Sequence, residues 1–467
     1  MLDIIVKILI ITNGVLIFFF LQFVIYGLLA YYYYFKEKKH LNLNIEWLKN
    51  LALQKNKEIP TITIIIPAKD ENEIIASTID RFMSLNYPKE KLHLLLVLDD
   101  KELLIKPYDE TTHCVVEQKK NYYNKLYNLE IIKYVSVPVG FDGNYNGIVL
   151  NKPVNSTKPR ALNWALKFIP EETDILGFYD SDSHPDVNTL LYVAYKYLTK
   201  SENDKILLQG PVVQVRNYFN LKPLNKIYAL AQAITHEWYL PILLTHLPFI
   251  GGTNFFIEPD LLYKVQGFKC SALSEDLELG CRLYIETTNV WPEFMPYIAT
   301  EQTPPNYKAY FHQRVRWASG YVQVIKSMLT SNKFLYKRFL LFSMLIFYGI
   351  LPWFSAQILS ILSMGILLLS ILGLTHLVFS FVPPGVKALV IFMNFAYILF
   401  LFFYFTYTIK KLNIKKYSNH SLVKEYLNLL LVPIAATLGT IPYTYGFLIS
   451  FFSHQPVQWI KTIRTKE

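Results

Sequence analysis

The chain has 467 residues, 52% of them hydrophobic, and a mean hydropathy of +0.24, which is too apolar for an ordinary soluble enzyme and indicates a membrane protein. The formal net charge of +10 comes without a nucleic-acid-binding motif, so we exclude nucleic acid as a partner and attribute the charge to juxtamembrane lysines and a phosphate-handling cleft. The three irregularly spaced cysteines fit neither a disulfide framework nor a zinc site, which favours a cytosolic location for the polar central part.

Residues 1–40 are predicted to anchor the chain in the membrane. An apolar run from about residue 4 to residue 34 ends in four consecutive tyrosines and is followed by lysines. At about 1.5 Å per residue the run exceeds a hydrocarbon layer of roughly 30 Å, so we expect a tilted helix with an aromatic belt at its cytoplasmic end. The lysines place the following residues in the cytosol.

Strand and helix patterns alternate through residues 41–320, which we predict to form one cytosolic α/β domain. Helices are expected from the first strand to Phe82 and over residues 160–168. A mainly parallel sheet covered on both faces follows from this alternation, with functional loops at the carboxyl ends of the strands. Residues 222–250 form an apolar helical pattern that is broken by Pro241 and Pro248. Three locations are open for this segment: the wall of an acceptor channel, the membrane interface or the protein core. The predicted strands are 61–67, 92–98, 131–137, 175–178 and 207–215.

Residues 321–467 are predicted to form interfacial and transmembrane helices with a short basic tail. Residues 338–373 correspond to about 54 Å of helix, interrupted by Pro352, and residues 386–409 and 427–452 are two clearer spans. One crossing separates a basic loop after residue 409 from the basic tail, so the positive-inside rule cannot place both in the cytosol. We favour an interfacial helix followed by one crossing within 338–373, because the loop carries more charge.

Asp180 and Asp182 follow the predicted strand 175–178 and bracket one small residue. In an extended backbone these two side chains point to the same side, where both can approach one hard cation such as Mg²⁺ or Mn²⁺. An acidic turn that only ends the strand is the alternative.

Polar groups also follow the first two strands. Ala68 and Glu71 lie where α/β proteins bind nucleotides, and Glu71 can accept hydrogen bonds from a ribose or a base edge, although helix-starting acids at an ordinary turn also explain the pattern. Asp99 and Asp100 repeat the arrangement one strand later. We expect one of these two aspartates to face the nucleotide and the other to cap the turn.

Three further segments carry candidate site residues. Lys158 lies at a predicted helix N-terminus, where a bound diphosphate would supply the anion that the position favours. Ser274 is expected to cap a helix whose first turn contains Asp276; the cap alone explains the pattern, whereas a cleft would make Asp276 a general base. The third segment is a helix with one face suited to phosphate and sugar, or alternatively an interfacial anchor. That helix contains Gln313, Arg314, Arg316 and Trp317.

In this order and spacing, these motifs resemble the membrane-embedded family 2 glycosyltransferases, the group of cellulose, hyaluronan and poly-N-acetylglucosamine synthases. The resemblance covers most of the chain. It implies a GT-A (Rossmann-like) domain with α-helical transmembrane and interfacial segments, and a metal-dependent, inverting hexosyltransferase that uses a nucleotide-diphosphate sugar, usually a UDP-sugar. The motifs are Pro67-Ala68-Lys69-Asp70-Glu71, Asp99, Lys158-Pro159-Arg160-Ala161-Leu162-Asn163, Asp180-Ser181-Asp182, Ser274-Glu275-Asp276 and Gln313-Arg314-Val315-Arg316-Trp317.

The resemblance also implies roles for these residues. Glu71 and Asp99 or Asp100 would contact the nucleotide, and Lys158 would lie near the diphosphate. Asp180 and Asp182 would bind the diphosphate through the metal. Of the two, we expect Asp182 to be the more direct metal ligand and Asp180 to lie closer to the nucleotide. Asp276 would deprotonate the acceptor hydroxyl. The leaving diphosphate and the acceptor sugar would be held by Gln313, Arg316 and Trp317, with Arg314 beside them.

Two positions depart from the family pattern. Ser274 replaces the usual threonine, a small change because the acid of the motif does the chemistry. Residues 99–102 lack the usual small-residue turn after the aspartate, which affects the expected nucleotide contact.

The resulting hypothesis is an integral membrane synthase, with its catalytic domain in the cytosol, that extends and secretes a β-linked polysaccharide. A transferase that adds one sugar to a membrane lipid is the first alternative. A non-catalytic scaffold or transporter is the second. The sequence identifies neither the sugar, the linkage nor a partner subunit.

Overall fold

The computed structural model describes residues 24–34, 43–287, 290–330, 335–380, 382–411, 422–452 and 464–465, together with a few positions before residue 37. Residues 24–34 are helical, as predicted for this part of the N-terminal anchor. Most of the remaining anchor, the loop 412–421 and nearly all of the basic tail lie outside the described residues.

The strands of the described residues form two sheets. Seven strands form the larger sheet in the order β3-β2-β1-β4-β8-β6-β9, and three form a smaller sheet in the order β5-β10-β7. The strands are β1 (Ile62–Ala68), β2 (Leu92–Asp99), β3 (Ile132–Val137), β4 (Ile175–Phe178), β5 (His184–Pro185), β6 (Leu207–Gln209), β7 (Val212–Val213), β8 (Phe255–Ile257), β9 (Glu293–Phe294) and β10 (Ala299–Thr300).

Helices connect these strands and then continue alone to the end of the described chain. They are α1 (Ile45–Gln54), α2 (Ile75–Met83), α3 (Thr112–Tyr127), α4 (Lys158–Ala165), α5 (Thr189–Thr199), α6 (Pro223–Ile234), α7 (Leu240–His246), α8 (Pro259–Lys264), α9 (Glu275–Glu286), α10 (Tyr307–Thr330), α11 (Leu335–Leu345), α12 (Leu351–Ile371), α13 (Thr375–Phe379), α14 (Pro384–Lys411), α15 (Leu422–Asn428) and α16 (Val432–Phe452).

The larger sheet is covered on both faces, as predicted. Side chains alternate along β1, so that Ile64 and Ile66 belong to one buried cluster and Ile65 belongs to the other. Strands β1 to β4 pair in parallel, whereas β8 is antiparallel to both of its neighbours, β4 and β6. The predicted α/β fold is therefore confirmed, with a mixed sheet that is parallel in one half. Its parallel half brings the ends of β1, β2 and β4 to one edge.

The predicted single strand 207–215 is wrong. The segment forms β6 in the larger sheet and β7 in the smaller one, with Gly210 and Pro211 between them. Pro211 has no backbone N–H to offer to a ladder, and the N–H of Gly210 donates to the carbonyl oxygen of Asn254 (2.9 Å). The chain consequently passes from one sheet to the other at this point.

Two prolines that were expected to interrupt helices lie within continuous helical stretches. Pro241 follows a π-helical turn at Thr235–Tyr239, and Pro352 follows another at Ile346–Ile350. A π-helical turn changes the local hydrogen-bond pattern, so the missing N–H of the proline does not end the helix. The predicted breaks at these prolines are wrong, whereas Pro248 lies beyond the end of α7, as predicted.

Three helices of the described chain are long and apolar enough to cross a membrane. They are Leu335–Ile371, Pro384–Lys410 and Val423–Phe452. The second and third agree with the predicted spans. The first is one helical stretch of 37 residues, and its division into an interfacial part and one crossing stays a prediction.

Helix α10 joins the sheet domain to the last candidate span, because it packs closely along α16. A Cβ atom on Gly446 would lie 2.7 Å from the Cβ atom of Ala318, so only glycine allows the two helices to approach this closely. The hydroxyl of Tyr310 donates to the carbonyl oxygen of Gly439 (3.0 Å). The predicted domain limit at residue 320 lies inside α10. This packing fixes the position of the helix that carries Gln313 to Trp317.

Candidate active site

Three carboxylates form a cluster beyond the end of β4. Each of Asp180, Asp182 and Glu301 offers an oxygen atom, and these oxygens all lie within 4.8 Å of one another. The aspartates follow the strand directly, as predicted. Glu301 follows β10, which pairs antiparallel with β5 and thereby places the glutamate beside the two aspartates. Carboxylate oxygens in such a group are the ligands that hard divalent cations prefer.

The environment of Asp182 supports a cation at this cluster. Asp182 is 0% exposed, and its Oδ2 atom accepts a hydrogen bond from the backbone N–H of Gln302 (3.0 Å). Its Oδ1 atom is buried and has no hydrogen-bond partner among the residues that the structure describes. Burial, together with the neighbouring Asp182 and Asp180, raises the pKa of Glu301 to about 8. A cation would therefore supply positive charge that the cluster needs when its carboxyl groups are ionised.

Lys158 is the first residue of α4 and faces the same cluster. Its ammonium group forms an ion pair with Asp180 and donates to the carbonyl oxygen of Gly252 (2.7 Å). Burial lowers the pKa of Lys158, but the charges of Asp180, Glu275 and Asp276 and the hydrogen bond to Asp180 together outweigh burial and raise the pKa to about 12. Lys158 is therefore protonated at neutral pH, as the predicted role beside a diphosphate requires.

Asp276 lies in the first turn of α9, close to the loop that contains Gly252. Gly252 has a φ of +77°, and a Cβ atom there would lie only 2.5 Å from Oδ2 of Asp276. The other carboxylate oxygen of Asp276 accepts a hydrogen bond from the N–H of Leu277 (2.8 Å). Burial raises the pKa of Asp276, and burial with the neighbouring Asp276 raises the pKa of Glu275 to about 7. This arrangement suits a proton acceptor that works near neutral pH.

Ser274 occupies the position before α9, as predicted, but its side chain makes no capping hydrogen bond. A Cβ atom on Gly320 of α10 would lie 2.2 Å from the Ser274 hydroxyl oxygen, so the serine packs against that helix. The expected side-chain cap is therefore wrong, because tertiary packing against α10 directs the hydroxyl elsewhere.

Helix α10 brings the remaining predicted residues to the same cavity. Gln313, Arg316 and Trp317 line it together with Asp180 and Asp276. The charges of Glu275, Asp276 and Asp180 act on Arg316 and partly offset the lowering of its pKa by burial. Arg316 consequently carries a guanidinium group close to the acids of the sheet edge.

One end of the cavity is where the nucleotide is expected. Ala68, Glu71 and Asp99 line this end, whereas Asp100 is not among the described residues that line the cavity. Asp99 is buried and forms an ion pair with Nη1 of Arg160 (3.1 Å). Asp100 instead lies 3.8 Å from His113, measured from its Oδ1 to the ring Nε2. Of the two aspartates, Asp99 is therefore the one that faces the cavity, with its charge already paired.

The cavity has a volume of about 750 Å³ and continues from the sheet edge to the candidate membrane helices. Its far part is lined by aromatic residues of the first and third candidate spans. Trp353 and Tyr443 lie there with their rings stacked, 4.0 Å between centroids. One continuous space thus connects the predicted catalytic acids with the helical bundle.

Two charged residues at the site were not predicted from the sequence. Glu301 lies in no recognisable motif, and the only sequence signal for Arg464 is the basic character of the tail. Arg464 donates from Nη1 to Oδ2 of Asp182 (2.8 Å). The adjacent Thr465 donates its N–H to the side-chain carbonyl of Gln302 (2.8 Å), which holds this part of the tail at the carboxylate cluster.

The α/β sheet, the acids at the ends of its strands and the helix carrying Gln, Arg and Trp meet at one cavity, in agreement with the motif resemblance to glycosyltransferases. A family model described as "Glycosyl transferase family group 2" matches residues 177–410, which is half of the chain. The chain belongs to this family.

Among curated proteins, the chain is similar to "Probable glycosyltransferase YdaM" of Bacillus subtilis, with 25% identity over 65% of this chain and 64% of the relative. It is also similar to "Beta-monoglucosyldiacylglycerol synthase" of Trichormus variabilis, with 23% identity over 56% of this chain and 49% of that relative. The chain thus spans less than two thirds of the length of these relatives.

Among solved structures, a mannosyltransferase from Pyrobaculum calidifontis in complex with GDP-Man and Mn²⁺ aligns with 92% of this chain and 99% of its own, at 16% identity and a TM-score of 0.47.

Proposed function

We propose that this protein transfers a hexose from a nucleotide-diphosphate sugar to a hydroxyl group of a membrane lipid, with inversion at the anomeric carbon. The observation that carries the proposal is the convergence of two groups of residues on one cavity. A carboxylate cluster with Lys158 lies on one side, and Asp276 with Arg316 lies on the other. Together they offer a place for a diphosphate and a base for an acceptor hydroxyl.

The chemistry follows from the charges. Asp276 accepts the proton of the acceptor hydroxyl as its oxygen attacks the anomeric carbon, and the bond to the diphosphate breaks. Lys158 and Arg316 stabilise the negative charge that builds up on the departing diphosphate. The burial that raises the pKa of Asp276 makes it a stronger base than an exposed aspartate. Trp317 offers a flat ring on which a sugar can stack.

Asp182 would hold a divalent cation, Mg²⁺ or Mn²⁺, with Asp180 and Glu301 completing its carboxylate ligands. When bound, such a cation neutralises diphosphate charge. The unpartnered Oδ1 atom of Asp182 supports this assignment within the described part of the chain. Asp180 also contacts Lys158, so we place it closer to the diphosphate than Asp182.

The nucleotide would occupy the end of the cavity lined by Ala68, Glu71 and Asp99. We propose a UDP-sugar as the donor, in keeping with the motif resemblance. Because Arg160 already neutralises Asp99, we assign the hydrogen bonds to the ribose or base to Glu71 first.

Two observations favour a lipid acceptor. The cavity continues between candidate membrane helices, where an apolar chain can be accommodated, and one relative is named as a synthase of a glycosylated diacylglycerol. A growing β-linked polysaccharide is the second candidate, since aromatic rings such as Trp353 line the far part of the cavity and can stack on sugars. In both cases residues 1–40 and 321–467 would lie in or on the cell membrane and residues 41–320 in the cytosol.

The test uses purified full-length protein with labelled nucleotide sugars, mixed membrane lipids and Mg²⁺ or Mn²⁺. We expect one labelled sugar on a lipid; a labelled polymer would instead establish the second candidate. Asp276→Asn should lower transfer by roughly 10²- to 10⁴-fold. Glu286→Gln, the same kind of change at the exposed end of α9, should leave transfer unchanged. Unaltered transfer in both Asp276→Asn and Asp182→Ala would refute this mechanism, whereas loss of transfer in both would exclude a non-catalytic scaffold or transporter.

A further inference from the structure

Arg314 is a buried cation on α10 that lacks an anionic partner. Its residue is 2% exposed, and no ion pair joins it to any carboxylate of the described residues. Within the described chain, its Nε and Nη1 atoms have no hydrogen-bond partner, while Nη2 donates to Oε1 of Gln214 (3.2 Å). A buried guanidinium with two unused donor atoms is unfavourable unless an anion completes the site.

Four side chains near Arg314 are polar or aromatic and uncharged: Gln214, His236, Tyr310 and Trp317. Its guanidinium carbon lies 4.0 Å from the ring centroid of Trp317 and 4.9 Å from that of Tyr310. Burial and the charge of Arg314 lower the pKa of His236 to about 4, so this imidazole is uncharged at neutral pH. The two rings hold the cation in place by cation–π contacts, yet the positive charge remains without a counter-charge.

Arg314 is separated from the expected diphosphate site by the geometry of the helix. Residues two positions apart in an α-helix point about 200° apart, so Arg314 and Arg316 lie on nearly opposite sides of α10. Arg316 is under the influence of Glu275, Asp276 and Asp180, whereas Arg314 lies near Tyr443 of the third candidate span. The leaving diphosphate would therefore meet Arg316 rather than Arg314.

The cavity reaches Arg314. Both arginines line it, and the part nearest Arg314 continues toward the stacked rings of Trp353 and Tyr443 on the candidate membrane helices. A ligand in this part needs an anionic group for the arginine and an apolar body for the aromatic surroundings. That combination describes an amphiphile with an anionic head group.

We infer that Arg314 binds a phosphate group carried by an amphiphilic acceptor, at the membrane end of the cavity and apart from the donor diphosphate. This inference rests on the proposed function and narrows its acceptor to an anionic lipid. Arg314 thereby positions the acceptor so that its reacting hydroxyl faces Asp276.

The probe is farnesyl phosphate, with farnesol as the uncharged analogue and UDP with Mn²⁺ as the donor-side ligand. Binding is measured by calorimetry on the full-length protein in detergent. Arg314→Gln should weaken farnesyl phosphate binding by about tenfold or more, because a charged hydrogen-bond partner is lost, and should leave farnesol and UDP binding unchanged. Arg314→Lys should retain most of the affinity for farnesyl phosphate. The matched variant Arg316→Gln should show the reverse, with weaker UDP binding and intact farnesyl phosphate binding.

Three results would overturn the inference. Equal farnesyl phosphate affinity in the wild type and Arg314→Gln would give the arginine a purely structural role. Loss of UDP binding in Arg314→Gln would assign it to the donor phosphates, and loss of farnesol binding would show a general collapse of the cavity. A protein that binds farnesyl phosphate through Arg314 but transfers no sugar would retain this site and refute the proposed function alone.

Discussion

Gly252 offers a sharp test of the position of Asp276. An alanine there would place its Cβ atom 2.5 Å from Oδ2 of Asp276. Because the van der Waals contact distance between such atoms is about 3.5 Å, the carboxylate must move by about 1 Å. A displacement of this size at a reacting group costs roughly 100-fold in rate. The positive φ of +77° adds about 1 kcal/mol of backbone strain. We therefore expect Gly252→Ala to lose kcat by about two orders of magnitude while the protein remains folded, as measured by initial transfer rates and thermal unfolding.

Gly373 provides the matched control. It has a similar φ of +68°, but no described atom lies within 4 Å of the position of a Cβ atom. Gly373→Ala should therefore cause comparable backbone strain and leave the transfer rate unchanged. Gly252→Ala with more than half of the wild-type rate would refute the placement of Asp276 as the base, and an equal loss in both variants would attribute the effect to the backbone.

Three other outcomes follow from the charges of the site. Because burial raises the pKa of Asp276, kcat/KM should fall with decreasing pH at higher pH than the ordinary range of an aspartate. Glu275→Gln should move this fall to lower pH, because a neighbouring carboxylate is removed; a wild-type profile that falls only within the ordinary aspartate range would contradict the assignment. Arg464→Ala should tighten Mn²⁺ binding by roughly tenfold, because a competing positive charge leaves the cluster. The free Mn²⁺ is measured by electron paramagnetic resonance, and weaker binding would show that the arginine supports the metal. Arg160→Ala should lower the free energy of unfolding by about 3–5 kcal/mol, because Asp99 is left buried and unpaired. The loss is measured as a lower Tm, and adding Asp99→Ala should recover part of it. An unchanged Tm in Arg160→Ala would show that the ion pair does not stabilise the fold.

The elements that the sequence predicts well are those with a strong local pattern. Residues 62–66 of β1 are all β-branched and buried, on both faces of the sheet, and the second and third candidate spans are long apolar helices. Asp180 and Asp182 were placed correctly because a strand end precedes them directly. Local signals failed at Pro241 and Pro352, where π-helical turns let a helix continue, and at residues 207–215, where one apolar run serves two sheets.

By itself, the sequence determined the α/β domain, the second and third candidate membrane helices and the aspartates at the strand end, because each of these depends on residues that are neighbours along the chain. The tertiary structure alone decided which distant groups complete the site. The antiparallel pairing of β10 with β5 brings Glu301 to Ser183, 118 residues earlier in the chain, and hence to Asp182. Arg464 reaches the same aspartate from the C-terminal tail, and Arg160 neutralises Asp99 across 61 residues. Strand register and helix packing fix these contacts over distances in the sequence at which no local pattern carries information.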